Sequence, residues 1–120
     1  MSVLDAILKR QLISAPETIN STFTSDVIDL DNREGEFSIT MQYDNGVGLN
    51  MTTSLELTNT PEVELSWGMR PDSDFIQTDA SGSLLYDIGG TGLSYMRVKI
   101  VVAAGSCDLQ SITYVAKRRH

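Results

Sequence analysis

Cysteine, histidine and tryptophan each occur once in this chain of 120 residues, and proline only three times. With Cys107 as the lone thiol, an internal disulfide and a multi-cysteine metal site are both excluded. That usage fits assembly in a reducing cytoplasm. The one imidazole is His120, the last residue, where a Ser-His-Asp or Cys-His arrangement has nothing to position it. Long apolar runs are missing as well, and none reaches the ~20 residues of a membrane span. Asp5, Lys9 and Arg10 interrupt the apolar residues near the N-terminus and no small-residue cleavage site follows, so no signal peptide is expected.

Basic charge is scarce. Nine Lys and Arg stand against sixteen Asp and Glu, for a formal charge of -7. Lys9, Arg10, Lys117, Arg118 and Arg119 lie towards the two ends, which leaves Arg33, Arg70, Arg97 and Lys99 in between. A nucleic-acid binder needs a basic face with aromatic platforms, and the body of the chain lacks one. The basic tip reads first as a solvated tail.

What is present is β pattern. Residues 36–43 alternate Phe37, Ile39, Met41 and Tyr43 with polar neighbours, and 49–57 alternate Leu49, Met51, Thr53, Leu55 and Leu57 in the same way. Each run has one apolar and one wet face, as in an antiparallel sheet. Asn45-Gly46 between them suggests a hairpin, with Met41 opposite Met51 and Ile39 opposite Thr53 across a bulged loop of three or five residues. Glu62–Trp67 reads as a further strand with Val63, Leu65 and Trp67 inward. Shorter strands are expected at 20–24, 26–30, 75–78 and 83–88, and a last one at 108–116 after a turn at Ala104-Gly105-Ser106. Asp31 to Gly35 reads as a turn.

The glycines Gly89, Gly90 and Gly92 form a corner that leads into the longest alternation, 93–103. There Met96, Val98, Ile100 and Val102 face the core, and Tyr95, Arg97, Lys99 and Val101 face outward to solvent or a partner. No helix follows the corner, so it is not a phosphate loop. At the other end, Ser2 as N-cap with Val3, Leu4, Ile7 and Leu8 predicts a short helix over 2–14, ended by Ala15-Pro16. The expectation is therefore an all-β antiparallel sandwich, jelly-roll-like, with eight or nine strands spaced roughly 8–12 residues apart. A helical arm at 1–17 precedes the β domain at 18–120.

Catalytic constellations are thin. Glu62/Glu64 and Glu34/Glu36 are two apart in strands and share an outer face, which suits solvated edges better than glycoside hydrolysis. Asp29, Asp31 and Glu34, and Asp72, Asp74 and Asp79, do not follow the EF-hand spacing. Cys107 has no basic neighbours in sequence to lower its pKa and reads as a structural thiol. Among the aromatics, Trp67 and Tyr43 fall on inward rows, and Tyr95 is the best-exposed candidate for a sugar platform. No catalytic residue, metal or cofactor is expected.

The runs Asp79-Ala80-Ser81-Gly82, Tyr86 to Gly92 and Tyr95 to Val102, with Asp29 to Ile39 and the Lys117–His120 ending, resemble small virion proteins of tailed bacteriophages. The resemblance covers roughly residues 18–120. It implies a non-enzymatic structural β-sandwich of the virion, first of all a capsid decoration (cement) protein that stabilises the capsid, with a tail or adaptor component next. It also implies assembly in the host cytoplasm onto other virion proteins, the major capsid protein foremost, and a homo-oligomer, with a trimer expected. The candidate interface residues are Leu4, Ile7 and Leu8 of the arm, Tyr95, Arg97 and Lys99 of the outer row, and Lys117, Arg118 and Arg119 of the tip. A carbohydrate-binding module reading glycans through Tyr95 is the alternative.

Overall fold

Alternation of apolar and polar side chains gives a wholly β structure. The computed structural model describes residues 7–13, 16–30, 33–88 and 94–118, with side chains at 9–13, 16–30, 37–88 and 94–116. Its strands are β1 (Ile7–Gln11), β2 (Glu17–Ile19), β3 (Phe23–Thr24), β4 (Ile28–Asp29), β5 (Arg33–Thr58), β6 (Gly68–Met69), β7 (Phe75–Gln77), β8 (Gly82–Ile88) and β9 (Tyr95–Arg118). One 3₁₀ turn, Glu64–Ser66, is the only helical piece among the described residues.

Two long strands form the spine. β5 and β9 pair antiparallel from Arg33 opposite Arg118 to Thr58 opposite Tyr95. Along the far side of β9 run β1, β2, β3 and β4 in turn, and along the far side of β5 run β6, β7 and β8. Midway, between Gln42 and Met51 on β5, the register slips four times. One half of the ribbon thus holds β1, the end of β9, the start of β5 and β8. The other half holds β3, β4, the start of β9, the end of β5, β6 and β7. Both turn their apolar rows into a single core, with Ile39, Met41 and Ile112 from the first half and Met51, Leu55 and Ile100 from the second, all essentially without solvent contact. The result is a β-sandwich made by folding one sheet across its width.

The bend has a local cause. Asn45, Gly48 and Gly105 take positive φ (54°, 57° and 75°), a conformation that Asn and Gly tolerate best. At Gly105 the need for glycine is double, because a Cβ would land on the Val47 carbonyl oxygen and the Gly48 carbonyl. A bulge follows. Gln42 pairs with Ser111 and Tyr43 with Leu109, so Gln110 has no residue opposite. This shift lets β9 bury Ile112, Tyr114 and Ala116 on one side of it and Cys107 and Leu109 on the other.

Several expectations are corrected. Residues 7–11 are a strand, not part of a helix, because the edge of β9 offers Thr113 to Lys117 as pairing partners. Residues 2–6, with Leu4, and the helix start lie outside the described residues. The runs 36–43 and 49–57 are two halves of one bent strand rather than a hairpin. Met41 sits between Ile112 and Leu84, and Met51 between Val102 and Gln77. Ala104-Gly105-Ser106 is likewise a bend inside β9, not a turn between strands. Residues 62–67 are not a strand, and Val63 and Leu65 point outward. The row Met96, Val98 and Ile100 is fully buried as expected, and Val102 partly so. Gly89, Gly90 and Gly92, Asp31-Asn32, and Arg119-His120 lie outside the described residues.

Candidate functional site

The outer face of the second half concentrates the unusual side chains. Period 2 along β9 turns Tyr95, Arg97, Lys99 and Val101 away from the core. Pairing places them against Thr58, Glu56, Ser54 and Thr52 of β5, and β6 and β7 extend the rows with Met69 beside Glu56 and Ile76 beside Thr52. The chain between β5 and β6 then doubles back over this face. Pro61 and Gly68 bracket it, and no strand pairing holds it. Side chains do.

Arg97 is the anchor of that strap. Its Nε donates to Glu56 Oε1 at 2.8 Å, while Nη1 and Nη2 donate to the two oxygens of Glu64 at 3.2 and 3.0 Å. The guanidinium also lies 4.2 Å from the centre of the Trp67 ring. An arginine can make all these contacts at once because its planar fork matches a carboxylate edge-on and stacks face-on. Only 8% of Arg97 remains exposed. Burial on its own would lower its pKa; the bonds to Glu64 and then Glu56 outweigh that and raise it. In return the hydrogen bonds from Arg97 hold the Glu64 carboxyl below the usual carboxylate range. Lys99 Nζ, 3.7 Å from Glu56 Oε2, completes a balanced four-charge group.

Hydroxyls pin the rest of the strap. Ser66 Oγ is 2.6 Å from Thr58 Oγ1 and within hydrogen-bonding distance of the Val63 and Thr60 carbonyls. Thr60 N–H donates to Thr58 Oγ1, and Trp67 Nε1 to the Pro61 carbonyl at 3.3 Å. A segment fixed this firmly nonetheless turns Leu65 out with 98% exposure and Val63 with it. Ile76 (72%), Met69 (52%) and Val101 are exposed on the adjoining sheet. Five of the nine large exposed apolar side chains among the described residues therefore share this one region.

The candidate interface residues are placed as follows. Tyr95 is half-buried between Asp29 and Thr58 on the neighbouring strands, and Lys99 is half-buried. Arg97 does not project; its donors are committed within the chain. Ile7 and Leu8 sit on β1 opposite Lys117 and Ala116, and Arg118 pairs with Arg33. Leu4 and Arg119 lie outside the described residues. Glu64, Trp67, Leu65, Met69 and Ile76 escaped the sequence reading as a group. The Pro61-to-Gly68 bracket was the available signal for a loop there.

Other groups are structural. Cys107 is buried with Sγ 3.8 Å from Met51 Sδ, and burial, then the charges of Asp108 and Asp44, push its thiol pKa up. Asp108 accepts from Thr18 Oγ1 (2.6 Å) and Asn45 Nδ2 (2.9 Å), bonds that lower its pKa and tie β2 to the bend. Among the described residues no three of His, Cys, Asp or Glu gather as metal ligands.

No protein-family model and no curated protein matches this sequence. Solved structures do match its fold. The SPBc2 prophage-derived protein YomS superposes with a TM-score of 0.56 at 9% identity, over 92% of each chain. A bacteriophage CBA120 tailspike protein 4 matches with a TM-score of 0.57 at 11% identity, over 91% of this chain and 19% of that one. A CBM4 structure gives a TM-score of 0.57 at 12% identity, over 93% and 71%. Identities this low show a shared β-sandwich fold, seen in phage-related proteins and in carbohydrate-binding modules alike.

Proposed function

We propose that this chain is a non-enzymatic structural protein of a phage virion, a jelly-roll-like sandwich that decorates and stabilises the capsid. The observation that carries this reading is the hydrogen-bonded strap with its outward Leu65, over a sheet face that also exposes Met69, Ile76 and Val101. Immobilising a loop costs conformational entropy, and a loop fixed with an apolar side chain outward has met that cost before any partner arrives. Each such side chain contributes roughly 1.5–3 kcal/mol when fully buried. Repeated over many copies on a particle, modest contacts add to tight retention. The fold likeness to a prophage-derived protein and a tailspike supports the phage setting, and the four charges of the face pair with one another.

The test is co-sedimentation of the purified protein with capsids of its parent particle. Leu65→Asp with Ile76→Asp is expected to weaken retention at least tenfold while leaving the thermal melt in place. Retention unchanged by both substitutions, or no retention of the natural protein, overturns the proposal. A carbohydrate-binding module is the second reading, favoured by the likeness to the CBM4 structure. Binding on a glycan array, lost in Tyr95→Ala, would decide for it. Retention by a purified tail rather than a capsid would move the protein to a tail or adaptor position.

A further inference from the structure

β8 is an edge strand without the usual protection. It pairs with β5 from Phe37 opposite Ile88 to Tyr43 opposite Gly82, and no described residue pairs with its other side. Edge strands ordinarily carry lysine, proline or a bulge that blocks further pairing. The sequence here is Gly-Ser-Leu-Leu-Tyr-Asp-Ile, seven residues with one charge. Leu85 at its centre is 63% exposed.

A cleft of about 380 Å³ runs beside that edge, between Leu85–Ile88 and the loop Arg70–Ser73, with Phe75 at one wall. The loop is held in place from inside. Tyr86 Oη donates to the Ser73 carbonyl at 2.6 Å, and Ser73 Oγ donates to the Arg70 carbonyl at 2.7 Å. The cleft wall includes a cation, Arg70, and two anions, Asp72 and Asp87. None of the three side chains forms an ion pair or hydrogen bond with another described residue.

We infer that β8 pairs antiparallel with β8 of a second copy about a two-fold axis at Leu85, joining the first halves of two sandwiches into one continuous sheet. The strand's own sequence selects this occupant: read antiparallel to itself about its centre, it keeps apolar residues opposite apolar ones and leaves its single acid, Asp87, opposite a serine. The register follows from the side chains. Centred on Leu85, the pairing sets Leu85 against its own mate, Leu84 against Tyr86 and Ser83 against Asp87, so outward rows stay outward and inward rows inward. Centred two residues later it would place the two Asp87 carboxylates face to face, which is repulsive. A two-fold pairing gives a dimer or an even-numbered assembly in place of the trimer expected from the sequence. The inference rests on the structural reading above but uses a different surface, and the two fail separately.

Cross-linking tests the register. Across the axis the two Leu85 Cα atoms come within roughly 4.5–5.5 Å, inside the range a disulfide spans. Leu85→Cys is expected to give a covalent dimer under mild oxidation, reversed by dithiothreitol. The two Asp87 Cα atoms would stand about 14 Å apart, so Asp87→Cys alone should stay monomeric on the same gel. Sedimentation velocity supplies the second arm, using the exposed Ser83. Ser83→Lys adds two opposite-charge pairs per dimer and is expected to tighten the dimer roughly 2- to 30-fold, with Ser83→Asp weakening it to a similar degree. A natural protein that stays monomeric, a trimer, or a dimer cross-linked equally well through Asp87→Cys overturns the inference. Capsid retention that persists in a strictly monomeric protein would leave the structural reading standing without it.

Discussion

Gly48 and Gly105 offer a matched pair of substitutions at the bend. Both hold positive φ, at 57° and 75°, and both lie where β5 and β9 turn together from one half to the other. They differ in space. A Cβ at Gly48 meets nothing within 4 Å, whereas at Gly105 it strikes main-chain atoms of Val47 and Gly48. Gly48→Ala therefore carries the left-handed strain of an L-residue, ~1–2 kcal/mol, partly offset by ~0.4–1 kcal/mol of lost freedom in the unfolded chain. A net loss of about 1 kcal/mol is expected. At 120 residues the unfolding entropy converts this to about 4 °C in Tm. Gly105→Ala carries the same strain plus a backbone collision that no rotamer can relieve. It should cost about 3 kcal/mol or more and lower Tm by about 12 °C or more. Thermal melts by far-UV circular dichroism, with urea titrations to check that m is unchanged, measure both. If Gly105→Ala proves no worse than Gly48→Ala, close approach of the two strands is not what fixes the bend.

Four further outcomes follow from contacts described above. Tyr86→Phe leaves the Thr53 and Ser73 carbonyls without their buried donor and should cost about 1–2 kcal/mol, or about 4–8 °C in Tm by thermal melt. Arg97→Met strands the Glu56 carboxylate, 10% exposed, with only Lys99 nearby. A loss of about 3 kcal/mol is expected in urea unfolding, partly recovered by adding Glu56→Gln. The Glu64 pKa lies below its unfolded value, so its contribution is complete above about pH 4.3 and fades as pH falls through the folded-state pKa. Trp67 fluorescence should report release of the strap on acidification, and Glu64→Gln should flatten that acid response. Cys107 should resist a thiol reagent in the native protein and react on unfolding, since burial disfavours its thiolate.

Period-2 patterning was readable wherever one face is core and the other is not. Phe37 to Tyr43, Leu49 to Leu57 and Met96 to Val102 lie with the faces their alternation requires. Connectivity was less readable, because Asn45-Gly46 serves equally for a tight hairpin and for a bend. The close approach of Gly105 to Val47, between residues far apart in sequence, decides between them. Ile7 and Leu8 fit a helical spacing over a short window, but hydrogen bonds to the edge of β9 override a weak local preference. The strap misled for a similar reason. Val63, Leu65 and Trp67 alternate like a strand, yet Glu64 and Trp67 are both drawn to Arg97 on the sheet beneath. The outer row Tyr95, Arg97 and Lys99 lies on the face turned away from the core, as its alternation requires. Its apolar part, Leu65, Met69 and Ile76, belongs to other segments that only the fold brings together.

The central place of β9 also sets an order on how the protein comes into being. β1, β2, β3 and β4 all pair with β9, and β9 separates them from β5. Between Phe37 and its partner Ala116 the chain must first lay down the strap, β6, β7 and β8. During synthesis the first four strands therefore wait without partners, and β5 has only β6, β7 and β8 to hold, until β9 has been made. Loops this long close slowly, and folds dominated by distant pairings reach their native state in milliseconds to seconds rather than microseconds. Folding is therefore expected to come late and nearly all at once, once β9 is available to pair. While it is pending, the bare flanks of β5 and β8 are exposed to neighbouring unfinished chains, which makes low expression temperature and dilution the natural conditions for obtaining the protein intact.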